Sequence, residues 1–182
     1  MDGVAGEVFF GRADGTRLAP EKDTPLYSGD TIETGVAGRV ALGLVDGTRI
    51  SLGEGTHVEI EHVLYDPASK KGEIAVSVEN GAVSFAAGDI ARDSLDALTF
   101  HTPSAVIGAQ NAQGALRVAP GGGTSAVLLP SARGPSGEIA VVNAGGMKVL
   151  DQANEGAVAA DYDVAPTTPY LMTVRQIGLQ FG

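Results

Sequence analysis

The chain has 182 residues, 22 of them acidic and 12 basic, with a formal net charge of −10. That charge repels phosphate backbones and argues against nucleic-acid binding and an anionic membrane surface. Cysteine is absent, which excludes disulfides, thiolate metal sites and cysteine catalysis.

A hydrophobic content of 43% supports a packed core in one ordinary domain, while 26 glycines and nine prolines interrupt the chain too often for long helices. No run approaches the ~18 apolar residues of a membrane span. The opening MDGVAGEVFFGR has neither a basic start nor a long apolar stretch, so it does not read as a signal peptide.

Period-two alternation dominates from the start. The first turn signal is Asp14-Gly15, followed by Gly29-Asp30. Val40, Leu42 and Leu44 then alternate with Arg39, Ala41 and Gly43. Ile50 and Leu52 resume after Asp46-Gly47, and Val58 and Ile60 alternate with His57, Glu59 and Glu61. Ile74, Val76 and Val78 come next, and Val83 and Phe85 follow Asn80-Gly81. Asp-Gly and Asn-Gly between alternating runs predict hairpins whose two turn residues both tolerate positive φ. Residues 88–98 predict one short turn or helix with Ile90, Leu95 and Leu98 inward. Residues 119–124 and 130–137 read as loops. After Pro166-Thr167-Thr168-Pro169 the tail alternates through Ile177, Leu179 and Phe181, which predicts a terminal apolar strand.

Two repeats stand out. Asp-Gly-Thr-Arg occurs at 14–17 and 46–49, and Gly-Glu-Ile-Ala-Val at 72–76 and 137–141. Repeated strand-turn-strand units predict an all-β fold of short antiparallel strands and tight glycine turns, stacked as a β-solenoid or roll; a β-sandwich gives the same local pattern. The expected organisation is a β domain over 1–118, further hairpins of the same domain over 119–165, and a strand or linker over 166–182.

Catalytic signals are weak. There is no G-x-S-x-G elbow, phosphate-binding loop or dinucleotide fingerprint. His101 and Ser104 sit ~10 Å apart on an extended chain. With no tryptophan and 5% aromatic residues, platforms for sugar binding are scarce. On a strand His57, Glu59 and Glu61 share one face at ~6.6–6.8 Å spacing, too wide for all three to ligate one ion unaided. Asp161 and Asp163 could offer two oxygens to calcium, but the dense acidic spacing of a calcium loop is missing. His62 falls on the apolar parity and reads as a bonded, partly buried histidine. No cofactor or metal is expected.

The order of motifs resembles the FecR-type domain family. Leu26–Gly35 is similar to its L-x-x-G-D-x-I-x-T-G opening. The strand and Asp-Gly turn of GRVALGLVDGTRISLGEGTHVEIE follow, then Tyr65-Asp66-Pro67 and the G-x-x-x-F-x-x-G pattern over Gly81–Gly88. Thr102, Pro103, Ala105, Ile107 and Gly108 match the family's T-P-x-A-x-I-G. The I-R-G-T that usually follows is replaced by Ala109-Gln110-Asn111-Ala112, so a role resting on that arginine does not carry over. The resemblance spans residues 3–118 and implies an extracytoplasmic, all-β, non-enzymatic module that binds protein.

Three functions are expected in turn. The first is a binding or structural module of a secreted or surface protein, adhesin-like, as in the FecR-like domains of large bacterial surface proteins. The second is a periplasmic signalling domain coupled to a TonB-dependent receptor and a sigma factor. The third is a self-assembling subunit in which Ile177, Leu179 and Phe181 add a strand to a neighbour. Asp14, Gly15, Gly29, Asp30, Asp46, Gly47, Asn80, Gly81, Pro103 and Gly108 are expected in structural turns.

Overall fold

A computed structural model describes residues 3–131, 134 and 136–182. The first two residues and part of the predicted 130–137 connection lie outside these. The first half contains β1 (Gly3–Ala5), β2 (Val8–Gly11), β3 (Arg17–Leu18), β4 (Thr31–Thr34), β5 (Arg39–Gly43), β6 (Arg49–Leu52), β7 (His57–Asp66) and β8 (Lys71–Ala86). A 3-10 turn over Asp89–Arg92 follows. Then come β9 (Leu98–His101), β10 (Val106–Gln110), β11 (Gln113–Val118), β12 (Thr124–Leu129), β13 (Glu138–Asn143), β14 (Gly146–Leu150), β15 (Glu155–Ala159), β16 (Tyr170–Leu171) and α1 (Val174–Phe181).

The strands form two sheets. Sheet I runs β1-β5-β6-β8-β11-β12-β15-β16, and sheet II runs β3-β2-β4-β7-β8-β9-β10-β13-β14. Every pairing is antiparallel except β8 with β9. Inward residues line up across strands. In sheet II, Phe10, Ile32, Val58 and Val78 form one row and Val76, Phe100, Ile107 and Val141 another. In sheet I, Leu42, Ile50, Phe85, Gly114 and Leu128 form a third. These rows share one core, and Phe85 of sheet I meets Phe100 of sheet II with ring centroids 4.7 Å apart. The fold is all-β, and of the two predicted arrangements the shared core is that of packed sheets.

β8 belongs to both sheets. Its residues 71–80 pair with β7, whereas residues 81–86 pair with β6 and β11. Asn80-Gly81 is therefore not the predicted hairpin but the bend at which one strand changes sheet. Gly81 takes φ +101°, and a Cβ there would overlap Thr56. Thr56 Oγ1 accepts from Ala82 N–H at 3.0 Å and donates to the Ala82 carbonyl at 3.2 Å. Thr34 Oγ1 accepts from Thr56 N–H at 2.8 Å and donates to the Gly53 carbonyl at 2.6 Å. The buried Thr56 hydroxyl thus bonds both backbone groups of Ala82 beside the bend, and the buried Thr34 hydroxyl holds the loop that carries Thr56.

Both Asp-Gly-Thr-Arg copies make the same loop. Gly15 N–H donates to Arg12 and Gly47 N–H to Leu44, while the amides of Arg12 and Leu44 donate to Thr16 and Thr48. Thr16 and Thr48 N–H donate to Asp14 and Asp46 Oδ1. Only the glycines, at φ +86° and +87°, have positive φ. These are three-residue loops, a type I turn closed by a left-handed glycine, rather than the predicted two-residue turns, and each aspartate caps a threonine amide instead. That bond from the Thr16 amide holds Asp14 below the ordinary carboxylate value.

The tail departs most from expectation. Tyr170–Leu171 pairs with β15 of the same chain, and Thr167 N–H donates to the Val158 carbonyl, so the 167–171 stretch covers the β15 edge. Residues 174–181 are then helical rather than a strand. Thr173 Oγ1 accepts from Gln176 N–H at 3.3 Å and Gln176 Oε1 accepts from Thr173 N–H at 2.8 Å, a reciprocal capping box. Ile177 and Phe181, one turn apart, pack on Ala115, Val127 and Met172, while Leu179 is 76% exposed. The period is thus four rather than two.

Gly81→Ala should lower stability by about 3 kcal/mol, through both its φ and the overlap with Thr56. Gly47→Ala, with nothing near its Cβ, should cost only about 1 kcal/mol. Urea unfolding midpoints would compare the two. Equal losses would remove Gly81 as the pivot.

Candidate functional site

The residues of the L-x-x-G-D-x-I-x-T-G motif fasten sheet II to the loop before it. Asp30 is 2% exposed and pairs with Arg12. Its Oδ2 also accepts from Tyr27 N–H at 2.8 Å. Arg12 donates to the Pro25 carbonyl at 3.0 Å and lies over the Tyr27 ring at 5.2 Å. Gly29 N–H reaches the Ile60 carbonyl at 2.7 Å. Ile32 and Thr34 are buried.

The T-P-x-A-x-I-G stretch is equally occupied. Thr102 Oγ1 donates to the Ala105 carbonyl at 2.8 Å, closing a turn with Pro103 exposed at its tip. Ser104 Oγ, buried, donates to Thr124 Oγ1 at 2.8 Å. Gly108 is not in a turn but in the middle of β10, where a Cβ would meet the Leu95 carbonyl. Asn111 has φ +49°, a left-handed geometry that asparagine tolerates better than most residues. It stands where the motif carries glycine, the residue that takes this geometry most readily.

The histidines and glutamates predicted on β7 form pairs rather than one cluster. His57 lies between Glu33 at 3.5 Å and Glu79 at 3.7 Å. Glu61 lies 2.9 Å from His101 Nδ1 across two strands, and Glu59 faces solvent. His62 Nε2 is 3.2 Å from Glu73 Oε1. A bulge between Ile60 and His62 shifts the register, so His62 stands opposite Ala75 on the outer face instead of following the apolar parity. Asp161 accepts from Tyr162 N–H in an exposed turn, and Asp163 is exposed beside it. Among the described residues, no three histidine or acidic side chains come together as a metal site. His101 is engaged with Glu61, and Ser104 with Thr124, so the two do not form a nucleophile–base pair.

The outer face of sheet I holds a feature that alternation alone does not reveal. An open groove of about 900 Å³ runs over β1, β5, β6 and β8 up to the end of α1. Its floor is made of small residues, including Ala41, Ser51 and Ser84, with Arg39 and Arg117 on it and Phe181 at its margin. The outward parity of Arg39 and Ala41 is legible in the sequence. The groove is not, because its far wall is the helix that the sequence presents as a strand.

Asp30→Asn should cost about 3 kcal/mol, because it leaves Arg12 beside a neutral, buried partner. Glu33→Gln, which breaks the exposed pair with Arg17, should cost less than about 1 kcal/mol. Chemical denaturation would compare them, and similar losses would refute a structural role for the Arg12–Asp30 pair. Titration with zinc or calcium should leave the melting temperature unchanged. A saturable rise abolished by alanine at His57, Glu59 and Glu61 would reveal a site there.

Comparison with known proteins adds three findings. The family described as FecR protein matches residues 30–131, more than half of the chain. Two crystal structures of a proposed anti-sigma factor from Parabacteroides distasonis share the fold. They superpose with TM-scores of 0.60 and 0.58 at 14% and 15% identity, covering 81% of this chain. This chain spans 62% of the length of each. No curated protein matches. Among the described residues no helix is long and apolar enough to cross a membrane. The match begins at Asp30, takes in the β8 bend and ends beyond the Thr102–Gly108 motif, and on it the chain belongs to the FecR family.

Proposed function

We propose that this FecR domain is a non-enzymatic, extracytoplasmic protein-binding module that passes a partner's state to sigma-factor control. The observation that carries this reading is the FecR match over 30–131 on a fold shared with proposed anti-sigma factors. The arrangement of side chains supports it. The polar residues of the family motifs are spent on internal hydrogen bonds, and the histidines sit in separate pairs with glutamates. Such a domain offers surfaces rather than a reacting centre. The adhesin-like reading rests on composition and on family resemblance. The likeness to proposed anti-sigma factors favours signalling over it.

An in-frame deletion of the domain in the host, followed by transcript sequencing, tests this reading. The expected result is a change concentrated in promoters that share the recognition element of one alternative sigma factor. Unchanged transcripts together with weakened surface attachment would replace signalling with the adhesin-like role.

A further inference from the structure

The outer face of sheet I is covered over one half and bare over the other. α1 lies on β11 and β12, where Ile177 and Phe181 pack against Ala115 and Val127. Over β5, β6 and Ser84 of β8 no described residue covers the face, and its floor of Ala41, Ser51 and Ser84 leaves the groove beside the helix open. Around this floor stand Arg39, Arg49 and Arg117, all exposed. Registers place Arg39 beside Gly53, and Ala82 beside Arg117, on one row across β5, β6, β8 and β11. The two arginines are thus three strand spacings, about 14 Å, apart. Arg49 projects from the same face further along β6.

These guanidinium groups differ from three others in the chain, although among the described residues the exposed Arg175 of α1 is also without an ion-pair partner. Arg12, Arg17 and Arg92 each hold a carboxylate. Among the described residues Arg39 and Arg49 have no ion-pair partner, and Arg117 has only a 3.4 Å contact to the Gln180 carbonyl. Glu54 is the acidic residue at the groove's edge. In a chain of net charge −10, with 22 acidic residues available, three exposed arginines on one face stand without a carboxylate among the described residues. Their planar forks suit carboxylates.

We infer that this groove binds an acidic, extended segment of a partner protein, laid across the strands with carboxylates on Arg39 and Arg117. Carboxylates four residues apart on an extended chain span about 13 Å, close to the arginine spacing. The small floor lets that backbone approach the sheet, and the end of α1 forms the wall it runs beside. This inference deepens the protein-binding reading and rests on it.

The test uses the full chain and a 15-residue Ser/Ala peptide with Glu at every fourth position. Fluorescence anisotropy at low salt should show saturable binding that falls as salt rises. Arg39→Gln/Arg117→Gln should weaken binding at least tenfold, and so should Arg39→Gln/Arg49→Gln, which keeps the contact to the helix. Arg92→Gln should change nothing. In amide NMR spectra the shifts should cluster at Ser51, Ser84 and Phe181. Absence of saturable binding, equal loss on Arg92→Gln, or shifts elsewhere would overturn the inference. So would tighter binding of a single-stranded DNA oligomer, or growth of the protein's mass with concentration while the same amides shift. Loss of the groove with transcript control by the domain intact would refute the groove alone.

Discussion

The rest of the structure hangs on the bend in β8. One strand serves as a central member of sheet II and then of sheet I, and the two sheets face each other because it turns at Gly81. The bend removes backbone groups from the ladder, and buried amides and carbonyls need partners. Thr56, in the β6–β7 connection, supplies them for Ala82, and Thr34 of β4 holds Thr56 in place. The pivot is thus bolted from the side by hydroxyls, and the apolar rows on either side close over it.

The family motifs make sense in this frame as fasteners. Asp30 anchors Arg12 and the Tyr27 amide, Thr34 belongs to the bend, and Thr102 and Ser104 join β9, β10 and β12 through Thr124. Asn111, where the family motif has glycine, takes a left-handed backbone. A motif that is consumed internally specifies a shape and leaves the exposed faces to other residues. Those faces differ in charge. The outer face of sheet II carries glutamates paired with histidines, whereas the bare half of sheet I carries Arg39, Arg49 and Arg117, which among the described residues pair with no carboxylate.

Alternation determined by itself that Val40, Leu42, Val58, Ile60, Ile74 and Val76 point inward, because a strand's side chains have a period of two whatever it pairs with. The sequence also placed a chain reversal at each Asp-Gly-Thr-Arg copy, though as a two-residue rather than a three-residue loop, and it carried the family motifs. Tertiary structure decided the rest. Asn80-Gly81 became a change of sheet because Thr56 and Ala82, 26 residues apart, meet there. His62 left its expected parity because a bulge is a property of a pair of strands, not of one. The tail became a helix because Ile177 and Phe181 fit both a period of two and a turn of four, and an apolar patch on β11 and β12 favoured the turn. The arginine groove exists only once that helix has covered half of the sheet, since a surface between distant elements has no signature in either of them.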